Sequence, residues 1–299
     1  VEDFEAERRE QSVDARLCRT GGLAPYRYNF SILLAFTALT HQLLLPPYFA
    51  TGKLTLETIR VNHPSMTVDK SNDRVRKMFG EIAPKYDRMN HLLSMNVDRY
   101  WRWKAVRKLN PNRVDPILDV CTGTGDLAFA FHKFTGGEVE VIGSDFCAEM
   151  LDVGREKAIK FKRNIEFIEA DAQSLPFEND RFQVVSAAFG LRNVANTDLG
   201  LAEMVRVCKP GGQVAVLEFS IPRYQPIKGM YGWYFKNVLP RIGQMLARND
   251  SSAYNYLPDS VGEFPCYEQL TERMLAAGCS SAKFYPQTCG IATLYVGVK

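Results

Sequence analysis

The stretch 117–126, reading ILDVCTGTGD, constrains this chain more than any other. An apolar run of strand length enters a turn with two glycines, and a helical pattern follows at once. Gly123 and Gly125 let backbone come close to a ligand where a Cβ would block it. With Ala128 the spacing is G-x-G-x-x-A, which on spacing alone is a dinucleotide fingerprint of a Rossmann-like sheet.

The charges around the turn argue for a different ligand. Asp119 sits at the end of the strand and Asp126 where the helix begins. Amide dipoles attract anions to a helix N-terminus, so a pyrophosphate needs that end free of carboxylates. Two acids beside the turn suit a ligand with a positive charge and with hydroxyl and amino groups, such as S-adenosylmethionine. The alternative for Asp126 is a helix cap.

From Pro116 onward the pattern alternates between strand and helix. Strands are expected at 117–120, 139–144, 165–168, 182–187 and 213–218. Helices are expected at 127–133, 148–162 and 197–208, the last stopping at Pro210-Gly211-Gly212. The buried side of the 148–162 helix is read as Met150, Leu151, Ala158 and Ile159. A helix at 267–277 ends at Gly278, and strands at 282–285 and 291–298 form a closing antiparallel hairpin. Ligands of an open parallel sheet bind beyond the carboxyl ends of its strands. That rule collects Gly123, Gly125, Asp145, Asp171 and the 189–193 loop on one rim. Asp145, about 20 residues past the turn, is where an acid grips ribose hydroxyls; Asp171, with Ala172, can accept from an adenine amino group.

Composition narrows the partners. A net charge of +3 over 299 residues is too small to argue for nucleic acid. Seven cysteines stand singly, without a C-x-x-C pair, as in a reduced chain that uses them as small core residues. The four histidines lack metal-ligand spacing, so no metal is expected.

Three segments flank or interrupt the alternation. Residues 1–65 open with acids, contain an apolar run at 30–45 and end before Met66. They read as an upstream mis-start or dispensable extension, with a membrane-proximal anchor as the alternative. The helical stretch 70–110 has Val75, Met78, Phe79 and Ile82 as an apolar stripe. Its aromatic-dense part, with Tyr86, Tyr100, Trp101 and Trp103, suits either a lid or a core. The insertion 219–262 carries aromatic and basic residues, with no acid from 219 to 249. It suits a surface that meets lipid or a helical insertion packed on the sheet.

KYDRMN, LDVCTGTGD, DAQSLPF, AAFGLRNV, KPGGQVAVLEFSIP, AYNYLPDSVGEFP and GIATLYVGVK are spread from about residue 68 to 299. On these motifs the chain resembles the ubiquinone/menaquinone biosynthesis C-methyltransferase family. The resemblance implies the class I methyltransferase fold, an α/β architecture with a seven-stranded, mostly parallel sheet whose last strand is antiparallel. It implies S-adenosylmethionine held at Thr124, Asp145, Asp171 and Ala172, with Asp119, Gly123 and Gly125 completing the cofactor set. Two departures fall outside the cofactor core and leave the substrate side less defined: Ala188 where relatives often have Ser, and Tyr295 where His is common.

The implied reaction is methylation of a ring carbon of a polyprenyl hydroquinone, demethylmenaquinol first and a methoxy-benzoquinol second. Arg192 is the candidate oxyanion partner because its charge is permanent. Tyr86, Asp87 and Asn193 would orient the ring or pass a proton to water. The expected partners are the quinol and the membrane surface that holds it, with the protein in the cytoplasm, peripheral to the inner face; a homodimer is an open option. Competing readings are a nicotinamide-dependent oxidoreductase, a cofactor-binding scaffold without turnover, and a methyltransferase acting on a sterol or phospholipid.

Overall fold

The structure, a computed structural model, describes residues 70–234, 237 and 252–299. The 1–65 extension, with its apolar run, and residues 235–236 and 238–251 of the insertion lie outside the described residues.

Among the described residues, three α-helices precede the sheet: α1 (Asn72–Ile82), α2 (Tyr86–Leu93) and α3 (Val97–Leu109). Pro84 lies in the 3-10 turn Ala83–Lys85 that separates α1 from α2. Its missing N–H is tolerated there because the first amides of a helical turn have no internal partner. The alternation then runs β1 (Ile117–Val120), α4 (Asp126–Phe134), β2 (Val141–Asp145), α5 (Ala148–Phe161), β3 (Glu166–Glu169), β4 (Phe182–Ala188), α6 (Thr197–Val207) and β5 (Cys208–Phe219). The insertion contributes α7 (Ile227–Trp233) and α8 (Ser252–Glu263). The chain closes with α9 (Glu268–Ala276), β6 (Ser281–Gln287) and β7 (Ala292–Val298).

The seven strands lie in the order β3-β2-β1-β4-β5-β7-β6. β1, β2, β3, β4 and β5 pair in parallel, and β7 is antiparallel to both β5 and β6. β1 and β2 are buried at every position, as central parallel strands covered on both faces must be. Alternate residues feed two cores. Leu118, Ile142, Val185, Leu201, Met204 and Leu270 pack on the side of α6 and α9. Ile117, Val141, Val184, Leu127, Phe131 and Trp101 pack on the side of α3, α4 and α5. The strand order reverses between β1 and β4, so the loops after these two strands part and open a crevice.

Two expectations change. β5 starts at Cys208, before the Pro-Gly-Gly turn, because Cys208 pairs with Phe182 and the register then jumps to Val184 opposite Gln213. The glycines sit inside this irregularity, where the Gly211 N–H donates to the Lys299 carbonyl and the Lys299 N–H to the Gly212 carbonyl. The second change is in α5, where Ile159 is 79 % exposed. Gly154 takes the buried position instead, close against the Phe167 ring.

The aromatics of the first three helices divide. Trp101 is core, its ring near Phe189 and Phe219 and its Nε1 donating to Thr288 Oγ1 at 2.7 Å. Trp103 is half exposed, stacked with Tyr100 and covered by Arg107. Tyr231 and Tyr234 of the insertion pack with Leu93, Phe219, Leu257 and Val261. The described parts of the insertion therefore pack as helices, while Tyr224, Met230 and Trp233 stay exposed.

Candidate active site

The crevice at the strand-order reversal holds about 840 Å³ of empty space, counting the part open to solvent. Of the sequence-selected residues, Asp119, Gly123, Thr124, Asp145, Asp171, Ala172, Tyr86 and Asn193 line it. Gly125, Asp87 and Arg192 stand outside the lining.

The glycine turn is positive in φ at Cys121, Gly123 and Gly125. The Gly123 N–H donates to Asp145 Oδ2 at 2.8 Å, which draws the end of β2 onto the turn. Gly125 serves packing: a Cβ there would lie 2.7 Å from the Phe167 ring, and its φ is +87°. The loop after β4 closes on the same turn from the other side. A Cβ on Gly190 would sit 2.4 Å from Cys121 Cβ, so only glycine allows this approach.

The acids of the rim differ in what they already hold. Asp119 accepts from Thr122 Oγ1 at 2.7 Å and Ser186 Oγ at 2.8 Å. Asp145 accepts from the Gly123 and Cys147 amides. Burial pushes both carboxyls up to about 6, against the opposing pull of these hydrogen bonds. A cationic ligand that donates hydroxyls would relieve that cost. Asp171 accepts from the backbone and side-chain amides of Gln173.

Asp126 plays a different part from the one its position suggests. Lys157 Nζ lies 2.7 Å from its Oδ1, and Arg102 and His91 approach its Oδ2 at 3.8 and 3.9 Å. Burial alone would raise this carboxyl, but Arg102 and Lys157 outweigh it and hold it below the ordinary range. Its charge is met within the protein, which weakens the case that Asp126 attracts the ligand's cation. Lys157 also donates to Asp87 Oδ2 at 2.8 Å and Thr124 Oγ1 at 3.2 Å, and Thr124 Oγ1 donates to Asp87 Oδ1 at 2.5 Å. Asp87 thus pins α2 to the glycine turn. His91, Asp98 and Asp126 bring ligand atoms within 4.8 Å of one another. Arg102 Nη1 already lies 2.5 Å from Asp98 Oδ2 there, so the acids are met by protein cations.

Arg192 occupies the 3-10 turn Leu191–Asn193 after β4 and is 6 % exposed. Its Nη1 donates to the Phe189 carbonyl and lies 3.0 Å from Glu218 Oε2, and Glu218 is itself buried at the end of β5. Its Nε has no partner among the described residues. Asn193 Oδ1 is likewise buried without one. Burial raises the Tyr86 phenol, with Arg192 opposing, so Tyr86 holds its proton. Of the two departures, Ala188 lines the crevice, whereas Tyr295 is a packing element whose hydroxyl accepts the Tyr267 N–H at 2.8 Å.

Lys157, Arg102 and Glu218 were not singled out from sequence. Lys157 and Arg102 lie on ordinary helical stretches, and only the folded chain brings them to Asp126. Glu218 had a signal, since it sits in the LEFS stretch of the KPGGQVAVLEFSIP motif.

Residues 66–299 match the family model described as ubiE/COQ5 methyltransferase family. The ubiquinone/menaquinone biosynthesis C-methyltransferase UbiE of Geotalea daltonii is 42 % identical over 232 residues, 77 % of this chain and 98 % of that protein. The demethylmenaquinone methyltransferase of Chlorobaculum tepidum is 44 % identical over 239 residues, 79 % and 96 % of the two chains. A crystal structure of a SAM-dependent methyltransferase from Thermotoga maritima, a possible histamine N-methyltransferase, shares the fold with a TM-score of 0.54. It is 17 % identical, with 75 % of this chain and 98 % of that one covered.

Proposed function

The chain belongs to the ubiE/COQ5 methyltransferase family, and from that premise we propose that it methylates a ring carbon of a reduced polyprenyl quinone, demethylmenaquinol before the methoxy-benzoquinol. The observation that carries the reading is one crevice in which the rim acids of β1, β2 and β3 face Tyr86 and Asn193. Donor and acceptor sites are thereby joined. S-adenosylmethionine supplies an electrophilic methyl carbon on a sulfonium.

The residues present suit that donor. Asp145 can take its ribose hydroxyls, Asp171 with Ala172 its adenine, and Asp119 its amino group, across the Gly123–Thr124 backbone. On the acceptor side, a ring carbon is a strong nucleophile once the neighbouring hydroxyl has lost its proton. We assign Arg192 to the resulting oxyanion through its unpartnered Nε, from behind the crevice lining, with its Nη1 fixed by Glu218 and the Phe189 carbonyl. Asn193 and Tyr86 hold the ring, and Asp87 anchors the helix that carries Tyr86. The new carbon–carbon bond forms as the carbon–sulfur bond breaks. The ring carbon then sheds its proton and the oxygen regains one, so a single proton leaves, by way of water. Alignment of carbon and methyl supplies much of the remaining acceleration.

Leu92, Met230 and Trp233 are exposed on α2 and α7, which are tied by Tyr234 Oη donating to the Leu93 carbonyl at 3.0 Å. These exposed apolar side chains support contact with the lipid surface where the quinol resides. No helix among the described residues is long and apolar enough to cross a membrane.

The test is methyl transfer from labelled S-adenosylmethionine to reduced demethylmenaquinone and to the reduced benzoquinone precursor, with wild type and Arg192→Ala. Label in the naphthoquinol and a loss of ~100-fold or more in kcat for the variant, at unchanged cofactor affinity, is the expected result. Full turnover by the variant would remove Arg192 from the chemistry, and label in neither lipid would overturn the reading.

A further inference from the structure

Helix α8 lies beside the loop that carries Arg192 and Asn193. It packs against the Leu191–Asn193 turn, and its Val261 joins Leu93, Phe219 and Tyr231 in one apolar cluster. Its Tyr256 is 5 % exposed. Tyr256 Oη is buried and has no hydrogen-bond partner among the described residues, the same condition as Arg192 Nε and Asn193 Oδ1. Two touching elements thus carry three polar atoms without partners: an N–H donor, an amide acceptor and a phenol that can do either. Leaving each unpaired is costly, and a ligand with matching oxygens would relieve that cost. The electrostatics agree, since Arg192 opposes the effect of burial on the Tyr256 phenol.

An aromatic diol matches that set. It has two ring oxygens, one beside the methylated carbon and one across the ring. Resting on the proposed methyl transfer, which assigns Arg192 to the first oxygen, we propose that Tyr256 hydrogen-bonds the second ring oxygen of the quinol and so helps select a ring that carries two oxygens. Tyr256 is a substrate-binding residue in this account. It moves no proton and leaves the methyl donor's site untouched.

The experiment compares wild type with Tyr256→Phe, which removes only the hydroxyl. Turnover is measured on the quinol, and the inhibition constant is measured for a prenylated monophenol lacking the second oxygen. The variant should lose about 10- to 100-fold in kcat/KM on the quinol. The inhibition constant of the monophenol, S-adenosylmethionine affinity by calorimetry and the melting temperature should all stay at wild-type values. Equal kcat/KM on the quinol overturns the inference, and so does a loss that appears equally with the monophenol, which would mark a packing effect. A wild type that methylates no quinol fails the functional reading instead, which separates the two failures.

Discussion

Lys157 is the cation on which the attachment of the first helices to the glycine turn converges. Lys157→Met keeps the length of the side chain and removes the ammonium. Two hydrogen bonds to carboxylates go, to Asp126 at 2.7 Å and Asp87 at 2.8 Å, at ~1.5–3 kcal/mol each, together with the longer one to Thr124 Oγ1 at 3.2 Å. Part of that is offset, because the ammonium no longer has to be desolvated and the site, with 18 % of the lysine side chain exposed, retains some water. Asp126 also keeps Arg102 at 3.8 Å. The net loss is ~2–4 kcal/mol. The Asp126 carboxyl is held below its ordinary range in the folded protein. Its contribution is therefore present above the unfolded value near ~4 and lost as pH falls through the folded value. Urea unfolding of wild type and variant should show the full difference at pH 7 and a smaller one below about pH 4. Lys157→Arg, which keeps the charge, should recover most of it. A variant within ~0.5 kcal/mol of wild type at pH 7, or a loss independent of pH, would refute the reasoning.

Two further outcomes are expected. Asp119 and Asp145 have carboxyls raised to about 6 by burial, so the stability they contribute is present below their unfolded values near ~4 and lost as pH rises through about 6. A cationic, hydroxyl-donating ligand favours their ionised forms, so affinity for S-adenosylmethionine by calorimetry should rise about tenfold between pH 5 and 7; a flat profile would contradict it. Gly190→Ala places a Cβ 2.4 Å from Cys121 Cβ, which forces the 189–193 loop away from the glycine turn. It should cost ~1–3 kcal/mol of stability and most of the methyl transfer, read by melting temperature and turnover; wild-type turnover would mean the close approach is dispensable.

Much of the fold was legible in the sequence because its signals are local. β1 was recovered to the residue, since four buried positions between Pro116 and a glycine turn leave little freedom. The closing hairpin followed from two strand patterns and a short connection. Boundaries failed where pairing overrides local preference, as at Cys208, which joins the sheet ahead of two glycines because Phe182 lies opposite it. Ile159 failed because apolar identity does not say which side of a helix meets a neighbour; Gly154 is buried there for its close fit to Phe167.

The candidate site divides along the same line. Much of the crevice lining was readable: strand ends carrying Asp119, Asp145 and Asp171, a glycine turn, and a loop with Asn193, although Arg192 of that loop stands outside the lining. Each of these sits within a few residues of the strand that positions it, so chain order alone puts it on the rim. Its electrostatics was not readable. Lys157 and Asp126 are 31 residues apart, Arg192 and Glu218 26, and Lys157 and Asp87 70. Whether a carboxylate faces a ligand or is already answered by an ammonium depends on which helices meet. That is decided by packing of the whole chain, because a charge's energy is set by its neighbours in space and by the water they exclude. The sequence determined which chemistry could gather at the end of this sheet; the tertiary structure decided which of those groups remain available to a ligand.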